Sequence, residues 1–170
     1  LVMKKSMWRG MTAVAASIMF GGTVALAANL ANPSFEESDT SAENTYGDRA
    51  ASWGRWGNWM NRETGWKPVR TGSSIIGYHH WEIESSDNSG LYQDFSDVAA
   101  SKPVTFSIYA SKDEKANFEK VELRLEPFDG GETLASQFYT GDEIKGDWTR
   151  LSVSGTTSAK GGVRVLVICY

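Results

Sequence analysis

The feature that most constrains this chain is a period of two. Val121, Leu123 and Leu125 alternate with Glu122, Arg124 and Glu126, the pattern of a strand with one face buried and one charged. Val104, Phe106 and Ile108 alternate with Thr105, Ser107 and Tyr109. Val163, Val165, Val167 and Cys169 alternate with Arg164, Leu166, Ile168 and Tyr170, apolar on both sides toward the end. Leu91–Phe95 and Thr149–Val153 are shorter stretches of the same kind. Turn signals separate them: Asp87-Asn88-Ser89-Gly90, Ser101-Lys102-Pro103, Asp129-Gly130-Gly131, Lys145-Gly146-Asp147 and Lys160-Gly161-Gly162. No stretch after residue 28 carries a 3.6-residue apolar period. Short strands at even spacing with polar turns predict an all-β fold, an antiparallel β-sandwich of jelly-roll type. The segment 37–50 is polar enough to be a long surface loop. The stretch 163–170 ends the sequence inside an apolar strand, which predicts a domain lacking its last strand and an exposed apolar edge.

Residues 3–28 do not belong to this pattern. Lys4, Lys5 and Arg9 precede an apolar run from Met11 to Leu26, and Ala25-Leu26-Ala27 supplies a small-x-small cleavage site. This is the layout of a secretory signal peptide. The alternative, a membrane anchor, is disfavoured by Gly21, Gly22, Ser17 and Thr23 and by a run shorter than the ~20 apolar residues a span needs. The expectation is signal peptide 1–28 and one domain, 29–170. That domain would be secreted, extracellular or periplasmic, with no membrane span after cleavage, and monomeric.

Composition excludes several classes of function. The formal charge is −4, and three of the 17 basic residues but none of the 21 acidic ones fall within the leader. An acidic domain is a poor partner for nucleic acid, which needs clustered cations. A single cysteine, Cys169, excludes an internal disulfide framework and a Cys-based zinc site. His79 and His80 are adjacent, so on a strand they point to opposite faces and ligate one ion poorly. There is no nucleophile motif, phosphate loop or dinucleotide fingerprint.

The unusual entry is tryptophan. The chain holds seven, and Trp53, Trp56, Trp59, Trp66 and Trp81 lie within twenty-nine residues, interleaved with Gly54, Gly57, Asn58 and Gly65. Their spacing of three suits neither a strand face nor, with these glycines, a helix, and the segment reads as a loop platform. Exposed indoles stack on the C–H faces of sugars, and Arg55, Arg62 and Arg70 are available for hydroxyls. Gln93 and Tyr109 are candidates for an outward sheet face. Against this stands ordinary core burial, expected for Trp148 and reasonable for Trp81, which shares a face with Ile83. The carboxylates Glu82, Glu84, Asp94, Glu122 and Glu126 could pair as in a glycosidase, which needs two held ~5–9 Å apart. Glu122 and Glu126 share a face with Arg124, though any solvated strand shows such alternation.

Several segments, in order, resemble one family. Asn29-Leu30-Ala31-Asn32-Pro33-Ser34-Phe35-Glu36 is similar to the "NL-x-NPGFE" opening of secreted carbohydrate-binding modules of the family 4/9, 16 and 22 type, a galactose-binding-like β-jelly roll, with Ser34 in place of the usual Gly. Ser89–Phe95, Pro103–Lys112, Trp148–Leu151 and Gly162–Val165 resemble its later strands. The resemblance implies non-catalytic polysaccharide or oligosaccharide binding. Trp53, Trp56, Trp59, Trp66, Trp81, Arg55, Arg62, Gln93 and Tyr109 would be the ligand-binding candidates, and an attached enzyme would be targeted to its glycan. It also implies a structural calcium with Glu36 as one ligand, although calcium needs six to eight oxygens. The alternatives are a secreted structural or cell-surface interaction domain of the same fold, and a small jelly-roll polysaccharide lyase or hydrolase.

Overall fold

The computed structural model describes residues 11–12, 29–40, 47–57, 60–78, 88–112, 119–144 and 148–170. It is the antiparallel β-sandwich that the period-two stretches predict. Among the described residues ten strands are formed: β1 (Met11–Thr12), β2 (Gly54–Trp56), β3 (Met60–Glu63), β4 (Ile75–Tyr78), β5 (Ser89–Phe95), β6 (Pro103–Ala110), β7 (Lys120–Glu126), β8 (Ala135–Thr140), β9 (Thr149–Thr156) and β10 (Val163–Cys169). The first sheet has the order β3-β4-β1-β6-β9, and the second β2-β5-β10-β7-β8. Apart from the hairpins β3–β4 and β7–β8, successive strands cross between the sheets, as in a jelly roll. No helix among the described residues is long and apolar enough to cross a membrane. β1 lies within the leader-like segment and pairs with both β4 and β6.

The alternation decides which side of each strand is buried. Val121, Leu123, Leu125, Val163, Val165, Leu151 and Phe106 are fully buried and face the opposite sheet. At roughly 1.5–3 kcal/mol for each side chain removed from water, this layer is the main stabilising term. One hydrogen-bonded contact staples an edge: the Tyr139 hydroxyl donates to Ser152 O at 2.7 Å and accepts from Ser152 N at 2.9 Å, tying β8 to β9.

Two expectations are corrected. β10 is not an exposed edge, because it pairs along its length with β5 on one side and β7 on the other. Its two-sided apolar pattern reflects this central position. The Trp-rich segment is not wholly loop. Gly54–Trp56 and Met60–Glu63 form strands, and Gly57, which follows the first, has a φ of 69° in the left-handed region.

Candidate functional site

The tryptophans that cluster in sequence separate in space. Trp53 is 5% exposed, packs on Phe35 with ring centroids 5.4 Å apart, and donates its indole N–H to Asn32 O at 3.1 Å. It belongs to the core and cannot stack on a ligand. Trp66 lies half-buried over Gly77 on the outer face of the first sheet. Trp148 is half-buried where core burial was expected. Trp59 and Trp81 fall outside the described residues, as do His79 and His80.

The polar candidates are largely spent on structure. Arg62 donates to Phe35 O, Glu36 O, Ser74 Oγ and Asp48 Oδ2, all within 3.0 Å, and clamps three segments. Arg55 donates to Met60 O and Asn61 Oδ1. Gln93 points inward, not outward. It is 6% exposed, and its amide pairs with Ala31 N, Ala31 O and Ser52 O, fastening the 29–32 segment to β5. Tyr109 does point outward, on the first sheet, with the Arg70 guanidinium 3.6 Å above its ring. Glu36 accepts hydrogen bonds from the N–H and O–H groups of Ser73 and Ser74. The small burial of the carboxyl would raise its pKa, but these four donors outweigh it and hold the group below the usual range. No group of three or more His, Cys, Asp or Glu able to hold a metal occurs among the described residues. The Glu36 carboxylate faces donors where a calcium site needs convergent oxygens, so the residues present do not fit that ion.

Trp56 remains, and its surroundings form the best candidate site. Cross-strand partners share a face, so the pairing of the second sheet fixes a grid of outward side chains. One row runs Trp56, Gly90, Ile168, Glu122, Phe138. The next runs Gly54, Tyr92, Leu166, Arg124, Ser136, and a third Asp94, Arg164, Glu126. The six-membered ring of Trp56 occupies the space above Gly90 that a Cβ would fill, and the Tyr92 ring does the same above Gly54. The two rings are 6.4 Å apart and tilted by 34°. The Trp56 N–H is anchored on Asn88 Oδ1 at 2.8 Å. The Arg164 guanidinium sits 4.4 Å from the Tyr92 ring and is held there by Asp94 at 2.6 and 2.8 Å. The result is an aromatic floor with fixed ring planes, laid over two glycines.

At the other side of the grid Glu122 is 2% exposed. Its carboxylate takes two hydrogen bonds from Arg124, at 2.7 and 2.8 Å, and one from the Tyr170 hydroxyl at 2.7 Å. Burial works to raise its pKa, but Arg124 and Tyr170 reverse this and hold it below the usual value. The same contact, with burial, raises the Tyr170 phenol. Arg124 also reaches Glu126 Oε1 at 3.2 Å, and Glu126 is 27% exposed. Trp56 and Glu122 are three strand spacings apart, about 14 Å. Between them Leu166 and Ile168 point outward by register yet are only 6% and 3% exposed.

Tyr92, Arg164 and Tyr170 were not singled out from sequence. Their signal is positional: they fall on the outward phase of strands whose neighbours are known only from the pairing. Inside the sandwich, an apolar hollow lined by Phe35, Trp53, Met60, Ile76, Leu91 and Ile108 admits no more than a water-sized body and carries no titratable group.

Comparisons with known proteins correct the functional expectations. No family model matches the chain, and no curated protein matches it. Among solved structures, the chain is similar to the Stig cyclase Fisc from Fischerella sp. TAU, solved in complex with (3Z)-3-(1-methyl-2-pyrrolidinylidene)-3H-indole. Identity is 16% and the TM-score 0.56, over 91% of this chain and 88% of that one. At that identity the likeness establishes the fold. The resemblance to carbohydrate-binding modules is therefore withdrawn, since the short motifs that carried it mark strand starts and turns common to the sandwich. With it go glycan binding, the non-glycan interaction domain and the expectation of a non-enzyme: the similar solved structure is that of a cyclase, an enzyme.

Proposed function

We propose that this protein is a small enzyme acting on a flat, nitrogen-containing aromatic molecule held on the outer face of the second sheet. One observation carries the reading: Trp56 and Tyr92 form a fixed aromatic floor on the same face as the linked carboxylates Glu122 and Glu126. A planar ring stacks on such a floor in offset or tilted geometry. Positive charge that develops on the ring is stabilised by the π faces of Trp56 and Tyr92. Glu126 is the accessible carboxylate, with Oε1 tied to Arg124 and Oε2 turned to no protein donor among the described residues. It exchanges a proton with a ring carbon: the carboxyl gives its proton, and the carboxylate takes one back. Glu122, buried and bonded to Arg124, fixes the guanidinium that positions Glu126. The indole compound bound by the similar cyclase is of this ligand class. The leader-like segment supports a place of action outside the cytoplasm.

The test uses indole and the pyrrolidinylidene indole as probes in deuterated buffer. The expected result is saturable quenching of Trp fluorescence and incorporation of deuterium into the indole ring faster than in buffer alone. Trp56→Ala abolishes both, whereas Glu126→Gln abolishes exchange and keeps binding. Absence of both responses in the folded protein would overturn the reading.

A further inference from the structure

The outer face of the first sheet carries a second arrangement, independent of the aromatic floor. The 64–74 segment crosses this face, with Trp66 over Gly77 and Arg70 over Tyr109. Ile75, outward by register, is fully buried there. Tyr109 on β6 is the cross-strand partner of Arg150 on β9, so their Cα atoms are ~5 Å apart. Arg70 stacks on a phenol whose cross-strand neighbour is Arg150, eighty positions away in sequence. The Arg150 guanidinium donates to Ser107 Oγ at 3.3 Å, and Ser107 is 3% exposed.

These two guanidiniums differ from the three that are ion-paired. Arg62, Arg124 and Arg164 each sit on a carboxylate. Neither Arg70 nor Arg150 bonds a carboxylate among the described residues. The acidic side chain that shares their outward phase, Glu63, lies on β3, three strands from β6. Two like charges are held together on an acidic protein, one by ring stacking and one by a buried hydroxyl. Among the described residues no carboxylate occupies either fork, and the mutual repulsion of two such groups is relieved by a bound dianion.

We propose that Arg70, Arg150 and Tyr109 form a binding site for a tetrahedral oxyanion of the phosphate class, either free phosphate or the phosphate of a small monoester. Each guanidinium supplies N–H donors, and the Tyr109 hydroxyl is a further donor on the same face. The stack on Tyr109 pre-orients Arg70, which lowers the entropy lost on binding. Arg70→Lys keeps the charge but loses both the fork and the stack.

The experiment is calorimetric titration of the folded protein with inorganic phosphate and, separately, with phenyl phosphate, at low and at moderate ionic strength. Saturable binding is expected for at least one, weakening as salt is added. Tighter binding of phenyl phosphate assigns the site to a monoester, and equal or tighter binding of inorganic phosphate assigns it to the free ion. Arg70→Gln and Arg150→Gln should each weaken binding about tenfold, as for one charged hydrogen bond. Arg70→Lys should also weaken it. Lys160→Gln, at an exposed residue paired with Asp129, should leave it unchanged. Circular dichroism checks that each variant is folded. Lack of saturable binding by the wild-type protein, or equal affinity in the Arg70→Gln/Arg150→Gln double variant, would overturn the proposal. Neither result bears on the indole reading, which rests on the opposite sheet.

Discussion

The substitution Gly90→Ala tests the aromatic floor without touching an aromatic residue. Gly90 lies in β5, its φ is not left-handed, and an alanine backbone is allowed there. Restricting the unfolded chain should then stabilise the protein by about 0.4–1 kcal/mol. The added methyl, however, enters the volume of the Trp56 six-membered ring. The indole must lift away, losing its bond to Asn88 and its contact with Tyr92. A neutral hydrogen bond contributes about 1 kcal/mol and an aromatic pair about 0.5–1.5 kcal/mol. The loss exceeds the gain, and a net destabilisation of about 1 kcal/mol is expected. Urea unfolding followed by circular dichroism measures it. The decisive comparison is a double-mutant cycle with Trp56→Ala. Without the ring to collide with, Gly90→Ala should become neutral or stabilising. Equal cost in both backgrounds would show that the ring does not occupy the space above Gly90, and the floor would lose its basis.

Other outcomes follow from the same contacts. Trp53→Ala should destabilise by about 3–5 kcal/mol, as for a buried aromatic, while Trp56→Ala costs far less; similar urea midpoints for the two would contradict the division between core and surface. The depressed pKa of Glu122 means that its pairing stabilises the fold fully above the ordinary carboxylate value of 4.5 and is lost as pH falls through the lower folded value. Glu122→Gln should therefore flatten the acid limb of a stability–pH curve below that point, and an unchanged limb would refute the assignment. Cys169 is fully buried, and burial pushes its thiol well up. It should react with a thiol reagent only when the protein is unfolded, and prompt reaction in native buffer would contradict the central placement of β10.

The legible part of the fold was the part with a clean period. β6, β7 and β10 emerge from the sequence nearly to their ends, and β9 over its first five residues, because one face of each meets the core and the side chains say so. β8 did not: its Ala135–Thr140 is an edge strand, mostly exposed, and its signal is the pairing with β7 rather than any alternation. The Trp-rich segment misled for a different reason. Its glycines read as loop, yet Gly54 lies in a strand where the Tyr92 ring of the neighbouring strand needs its space, as the Trp56 ring needs that of Gly90. Proximity along the chain also grouped Arg55, Arg62 and Arg70, which the fold sends to three environments. Arg70 finds its partner only through a register that joins β6 to β9.

The position of β10 bears on how the chain reaches this structure. β5 and β7 are not neighbours, and the second sheet is continuous only because β10 lies between them. Arg164 meets Asp94 across seventy residues of chain. Without β10 the sheet would be two separate ribbons, β2–β5 and β7–β8, each with a bare inner edge. Contacts this distant in sequence make for slow folding. The exposed edges in the meantime are templates for pairing with other chains. A substitution that loosens β10 therefore opens two strand edges at once, one on each ribbon, and should raise self-association along with the loss of stability.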